Sequence, residues 1–203
     1  MANPDDLLSQ QAFDRLLESA GAPETLGGAI RSWITGKAVA ANGVYLARDP
    51  GIRPPGGTVV TLDALRPVAG MTAERLDRLS AVMAGLEAEG GTNINSAPVA
   101  VLRAMLPTLR PAEIDELVAL RRQTPFASAE EFLAYLQASV GEDRFGEIAA
   151  ERFGVTSDWI ELSLTASLGD DRISRQVIFR RFGETRRARV EFRAAVDPLA
   201  DLR

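Results

Sequence analysis

Gly91-Thr92-Asn93-Ile94-Asn95-Ser96-Ala97-Pro98-Val99-Ala100-Val101-Leu102 is the stretch on which the fold turns. An Asn/Ser pair ahead of an apolar run can accept the orphan N–H bonds of a helix start. Pro98 is tolerated in the first turn, because its missing N–H leaves no helical bond unmade. Leu102, Met105 and Leu106 then share an apolar face. Pro107 stops that helix and Pro111 starts the next, whose buried side is Ile114, Leu117, Val118 and Leu120. The pair reads as a helical hairpin turning at Leu106–Pro111. Beyond Arg121-Arg122 and Pro125-Phe126, Ser128 with Glu131 three positions later forms a capping box for a third helix, carrying Phe132, Leu133, Tyr135 and Leu136.

Towards the N-terminus, Asn3 and Pro4 open a helix with Leu7, Leu8, Ala12, Leu16 and Leu17, which Gly21 closes. A second helix starts near Pro23 and Glu24 and runs through Leu26, Ile30, Trp33 and Ile34 to Gly36. Residues 36 to 58 read as one long connection, since Gly43, Pro50, Gly51, Pro54, Pro55, Gly56 and Gly57 break any periodicity. Val44, Tyr45, Leu46 and Ile52 are its apolar docking residues. Thr61 to Val68 follows as a short helix, and Thr72 caps a longer one with Leu76, Leu79, Val82, Met83 and Leu86 before Gly90-Gly91.

Towards the C-terminus, Glu142 to Arg152 reads as a short helix, and no strand is expected between residues 92 and 140. From Ser157 the apolar period changes to two. Trp159 to Thr165 alternates, Leu168-Gly169-Asp170-Asp171 turns, and Ile173 to Arg181 is a second strand. Phe182-Gly183-Glu184-Thr185 turns again into Arg187 to Ala195, with Ala188, Val190, Phe192 and Ala194 on one face. Three strands leave an apolar face bare, so it must pack on the helices, on further chain, or on a partner. Trp33, Tyr45, Trp159 and Phe192 read as packing residues.

At 203 residues and 46% hydrophobic content, the chain can bury a sizeable core as one domain or two small ones. It holds no apolar run near the roughly 20 residues of a membrane helix, and Met1 to Asp6 lacks the pattern of a signal peptide, so the chain taken alone reads as soluble. The formal charge of −5 argues against generic polyanion binding, although the C-terminal arginines from Arg172 to Arg193 could meet an acidic surface. With neither Cys nor His, disulfides, thiolate chemistry and the commonest catalytic bases and zinc ligands are excluded. No nucleotide-binding or nucleophile motif appears. The carboxylate pairs Asp5-Asp6, Glu130-Glu131 and Asp170-Asp171 fall at helix starts or turns, where acidic residues are expected structurally, and no enzyme is expected.

The segment Asn93-Ile94-Asn95-Ser96-Ala97-Pro98, with Val101-Leu102 after it, resembles the Asn-x-Asn-Thr-Ala motif of the minor pseudopilin called general secretion pathway protein K, of the bacterial type II secretion system. The hairpin ending in Arg121-Arg122 and Pro125-Phe126 is similar, as is the return from Ser157-Asp158-Trp159-Ile160 through Ser167-Leu168-Gly169-Asp170. The likeness runs from about Leu7 to Val196, with Trp33 and Tyr45 at the family's aromatic positions. It implies an α+β fold. A mainly helical domain of SAM-like or helix-hairpin-helix-like paired helices, residues 5–155, precedes a short antiparallel meander of the pseudopilin fold, residues 156–197.

It also implies a membrane-crossing N-terminal helix and a first strand ahead of the inserted helical domain, so Met1 would start a fragment or a shortened member. The implied role is mechanical and without catalysis, at the tip of the pseudopilus on the periplasmic side of the inner membrane. The implied partners are minor pseudopilins I and J, with secreted substrates or the outer-membrane secretin as further contacts. The motif residues Asn93, Asn95, Ser96, Ala97, Pro98 and Leu102 would be structural.

Relatives bind calcium through acidic segments that here read Ser32-Trp33-Ile34-Thr35-Gly36-Lys37 and Val39-Ala40-Ala41-Asn42-Gly43-Val44-Tyr45. Ser32, Thr35, Lys37, Ala41 and Asn42 stand where carboxylates would be needed. No calcium and no other cofactor is therefore expected. The alternative is a helix-hairpin-helix DNA-binding module of competence type, which shares an Asn-x-Asn-x-Ala opening. Its hairpin glycines bring N–H groups to phosphate, whereas Leu106-Pro107-Thr108-Leu109-Arg110-Pro111 has two prolines and no glycine, so no nucleic acid is expected.

Overall fold

The computed structural model describes residues 7–36, 42–54, 56, 57, 59, 61–84, 91–146, 148–169, 171–182 and 187–196. A first apolar core is built by α1 (Leu7–Ser19), α2 (Thr25–Thr35), α3 (Asn42–Leu46), a 3-10 helix (Leu62–Leu65) and α4 (Ala73–Ser80). Gly21 and Gly36 take left-handed φ of 71° and 65° just beyond α1 and α2, a conformation that costs glycine little. Thr72 accepts the Arg75 amide at 3.2 Å and caps α4. From α4, Arg75 donates to Gly21 O and Arg78 to Ala20 O, placing cations on the carbonyl end of α1.

Three expectations need correcting here. The short helix from Thr61 is a single 3-10 turn, and α4 stops at Ser80, with Val82 and Met83 in the turn after it. Leu86 lies outside the described residues. The connection after Gly36 is not wholly irregular, because α3 forms inside it. So short a helix has little stability of its own, and tertiary contact holds it. Tyr45 is buried edge-on to Trp33 at 5.0 Å, and its hydroxyl accepts the Ala69 amide at 3.1 Å. Of the expected docking residues, Tyr45 is buried and Ile52 packs on this core, while Val44 and Leu46 are exposed.

The second core is formed by α5 (Val99–Met105), α6 (Pro111–Gln123), α7 (Ala129–Val140) and α8 (Glu142–Phe145). Ile94, Leu102, Leu106, Ile114, Leu117 and Phe132 are fully buried in it. Pro111 occupies the first turn of α6, and Ser128 accepts the Glu131 amide at 3.2 Å to cap α7. The Glu131 carboxylate reaches back to the Ala127 amide at 2.7 Å, one residue short of the usual reciprocal partner. The expected helix over 142–152 divides into α8 and a 3-10 turn at Ala150–Arg152.

A strand also lies where none was expected: β1 (Thr92–Asn93) pairs in parallel with β2 (Phe153–Gly154). Gly91 permits the approach, since a Cβ there would stand 2.8 Å from Arg152 O. The two cores meet where α1 packs on α5. Arg15 donates to Ala104 O at 2.7 Å, and Arg152 donates to Ser9 Oγ at 2.8 Å.

Antiparallel strands β3 (Trp159–Leu168), β4 (Asp171–Phe182) and β5 (Arg187–Val196) form a sheet in that order. Paired residues share a face, so Ile160, Leu162, Leu164, Ala166 and Leu168 lie together with Ile173, Val177, Phe179 and Val190. The expected single face for Ala188, Val190, Phe192 and Ala194 does not hold. Val190 pairs with Phe179 but Phe192 with Ile178, so Glu191 is an extra residue in β5 and flips everything beyond it.

Candidate functional site

The Asn93 segment is a loop stapled to the second core, and its polar residues do not cap α5 as expected. Pro98 is the residue before that helix, and no side chain caps it. Asn93 Oδ1 instead accepts the Asn95 amide at 3.0 Å, and Asn93 Nδ2 donates to Ser157 Oγ at 2.9 Å. The Ser96 and Ala97 amides both turn back to Asn93 O. Asn95 bridges to the start of the Pro125-Phe126 turn, accepting the Phe126 amide and donating to the Phe126 carbonyl, each at 2.9 Å. Leu102 and Ala97 are buried below.

Arg121, which the sequence marks only as the end of the hairpin, completes this arrangement. It is buried on α6, where its guanidinium donates to Ile94 O and, at 2.6 Å, to Ala97 O. Burial pushes its pKa down from the ordinary arginine value, with nearby Arg122 adding to the effect. Spacing was the available signal: 121 continues the buried series 114, 117, 118 around the helix.

At the hairpin turn, the α6 N-terminus holds a carboxylate of its own. Glu113 accepts the Arg110 amide at 2.7 Å and pairs with Arg144 at 2.6 Å, while Arg144 also donates to Thr108 O. Hydrogen bonds from Arg144, then from Arg110, hold the Glu113 carboxyl well below the usual carboxylate range. A phosphate approaching these N–H groups would meet a bound anion.

Of the positions where calcium ligands would stand, the structure describes the side chains of Ser32 and Thr35. Thr35 Oγ1 donates to Arg31 O at 2.9 Å, and the nearby Asp14 carboxylate is paired with Arg31 at 2.8 Å. The Arg48 guanidinium stands 5.2 Å over the Tyr45 ring and donates to Pro67 O, placing a cation beside the loop. Ser32 lies on α2 and Asn42 begins α3; Lys37 and Ala41 fall outside the described residues. Among the described residues no group of three His, Cys, Asp or Glu could hold a metal ion.

Among the described residues, the sheet carries a row of exposed apolar side chains. Leu164 on β3 is 50% exposed and Leu168 84%, so the apolar row has no cover along that strand. The arginines do not form one solvated face. Arg175, Arg181 and Arg193 share the apolar side, whereas Arg172, Arg180, Arg187 and Arg189 share the other. On that second face Arg180 stacks 5.4 Å from both the Trp159 and Phe182 rings.

Residues 2–87 and residues 92–156 each match the family described as Type II secretion system (T2SS), protein K. The chain belongs to the type II secretion system protein K family, the one the Asn93 segment resembles. The two matches divide between the two apolar cores. The chain is also similar to a chain in the crystal structure of the GspK-GspI-GspJ complex from the enterotoxigenic Escherichia coli type 2 secretion system. The TM-score is 0.73 at 19% identity, covering 97% of this chain and 74% of that one. At that identity the likeness speaks to the α+β fold. No curated protein matches the chain.

Proposed function

We propose that this chain is a non-enzymatic component of the type II secretion pseudopilus tip that assembles with minor pseudopilins I and J to support protein export across the outer membrane. One observation carries the reading: over 97% of its length the fold follows a chain from a complex of GspK with GspI and GspJ. The uncovered apolar face of the sheet supports it, because a face of this kind marks a surface that another chain or segment completes. Residues 5–155 act as the helical domain and 156–197 as the β part of a pseudopilin domain. The assembly stands on the periplasmic side of the inner membrane, within reach of secreted proteins and the secretin.

In this reading Asn93, Asn95, Ser96, Ala97, Pro98 and Leu102 shape a loop and touch no ligand, and the loop after α2 works without calcium. The absence of His and Cys from the chain supports a role without catalysis. The DNA-binding alternative is disfavoured by the Glu113 carboxylate seated on the α6 N-terminus. Titration calorimetry and co-purification with pseudopilins I and J of the same system test the proposal. A ternary complex is expected. Failure to bind either protein, together with tight and salt-dependent DNA binding, would overturn it.

A further inference from the structure

On the face that carries Arg172, Arg180, Arg187 and Arg189, the register sets two neighbouring rungs across the strands. Trp159, Arg180 and Arg189 form one, and Phe182 with Arg187 forms the next. Arg180 and Arg189 are therefore directly opposed, and among the described residues no other like charges face each other in this sheet. Such a pair destabilises a sheet, and the other arginines of β4 and β5 avoid it: Arg175 faces Ala195, Arg181 faces Ala188 and Arg193 faces Val177. A strand face that merely meets water has no use for the opposition. Glu161, on the adjoining rung, accepts Gln176 Nε2 at 2.7 Å. Glu191 touches Arg189 at 3.3 Å, but the Arg189 side chain is 71% exposed there, so water and salt exchange readily with the contact.

We infer that this end of the face binds an extended acidic segment of another protein, whose alternate carboxylates fall on Arg187 and on the opposed Arg180 and Arg189. Residues two apart on a strand stand about 7 Å apart, so Arg187 and Arg189 match alternate side chains of a segment laid along β5. Neighbouring strands lie about 5 Å apart, close enough for one carboxylate to bridge Arg180 and Arg189. A bridging anion turns their mutual repulsion into attraction to a shared partner. The rings set the geometry, because Arg180 stacks 5.4 Å from both Trp159 and Phe182, which fixes the plane of its guanidinium and the direction of its N–H bonds. Phe182 is itself 39% exposed and offers the segment an apolar contact beside the charges. Away from these rungs the same face turns to Ser163, Thr165, Ser174 and Gln176, so the basic area is small. A strip of that size suits a peptide, whereas a membrane or a nucleic acid would also meet the repulsion of a chain with formal charge −5. The patch lies on the opposite face from the exposed apolar row, and its chemistry stands whether or not the chain works in a pseudopilus.

Fluorescence anisotropy of a labelled short peptide in which glutamate alternates with threonine reads the binding. The parent chain should bind it at least about tenfold more tightly than the same peptide with glutamine for glutamate, and the affinity should fall as salt rises. Arg187→Gln/Arg189→Gln should lose at least about tenfold, or about 1.4 kcal/mol, whereas Arg172→Gln, at the far end of the same face, should lose nothing. If the double variant fails to fold by circular dichroism, Arg187→Gln alone should show a weaker loss in the same direction. Arg187→Glu/Arg189→Glu should reverse the preference, towards a peptide in which lysine alternates with threonine. Because Arg189 faces Arg180, Arg189→Gln should leave the melting temperature unchanged or raise it. A marked fall would give Arg189 a structural role and overturn the inference. So would a parent chain that fails to bind the glutamate peptide up to about millimolar concentration, or that binds the glutamine peptide equally well. Tighter binding to vesicles of anionic phospholipid or to short duplex DNA than to the peptide would also overturn it, and would assign the patch to phosphate.

Discussion

Asn95 and Phe126 are joined by two hydrogen bonds of 2.9 Å, the side-chain amide of one meeting both backbone groups of the other. A side chain thus does what a neighbouring strand would do, and it fixes the distance between the Asn93 loop and the turn leading into α7. Asn95→Ala should destabilise the chain by about 1 to 3 kcal/mol in urea unfolding, since it leaves a donor and an acceptor partly buried without partners. Asn95→Asp should cost a comparable amount, because it cannot donate to Phe126 O. Stability unchanged in both variants would show that water replaces the amide.

Arg121 supports the same loop from beneath. Arg121→Met keeps much of the stem packing but abandons the carbonyls of Ile94 and Ala97, and a loss of about 2 to 3 kcal/mol is expected. Arg121→Lys should recover part of this, since one ammonium cannot match the two-pronged geometry. Full rescue by lysine would contradict the fork arrangement.

Glu113 should make stability depend on acid. Its folded pKa is depressed by Arg144 and Arg110, so its contribution is complete above the unfolded value of about 4.3 and is lost as pH falls towards the folded one. The parent chain should therefore exceed Glu113→Gln in melting temperature near neutrality, with the gap narrowing below about pH 4. A gap independent of pH would contradict the ion-pair origin.

Gly91 tests the parallel pairing of β1 with β2. A Cβ at this position meets backbone atoms, at 2.8 Å from Arg152 O and 2.9 Å from Phe153 C, and backbone cannot swing aside as a side-chain tip can. Gly91→Ala should cost about 1 to 3 kcal/mol. It should also raise amide exchange at Ile94, whose N–H donates to Gly154 O. A neutral substitution would mean that the pairing is dispensable.

The loop after α2 should ignore calcium. Its acidic content between residues 36 and 58 is Asp49, and its order rests on the buried Tyr45. Chelator should leave the melting temperature unchanged and added calcium should not raise it, whereas Tyr45→Phe should lower stability by about 1 kcal/mol through the lost bond to the Ala69 amide. A chelator-sensitive transition would reverse this reading.

Features written in local chemistry were legible in the sequence. Pro111 and Ser128 mark helix starts, Gly21 and Gly36 mark ends, and the alternation after Ser157 gives the strands. Features decided by distant partners were not. The five residues of α3 carry no period of their own and depend on Trp33, while β1 depends on β2. The bulge at Glu191 has no mark in the alternation of β5 and is fixed by how β4 lies beside it. The Asn93 motif was visible as a unit, but which groups its amides serve could not be read locally, since Phe126 and Ser157 lie far along the chain.

Asn93 and Ser157 are 64 positions apart and still share a 2.9 Å bond. On a ribosome the chain is made front to back, and the first core needs nothing beyond the segment from Phe13 to Met83. The second core is open at its Asn93 end until β2 and Ser157 have left the exit tunnel, so this closure comes late and over a long loop. The front half therefore has time to fold alone, and α1 is already in place as the surface on which α5 settles.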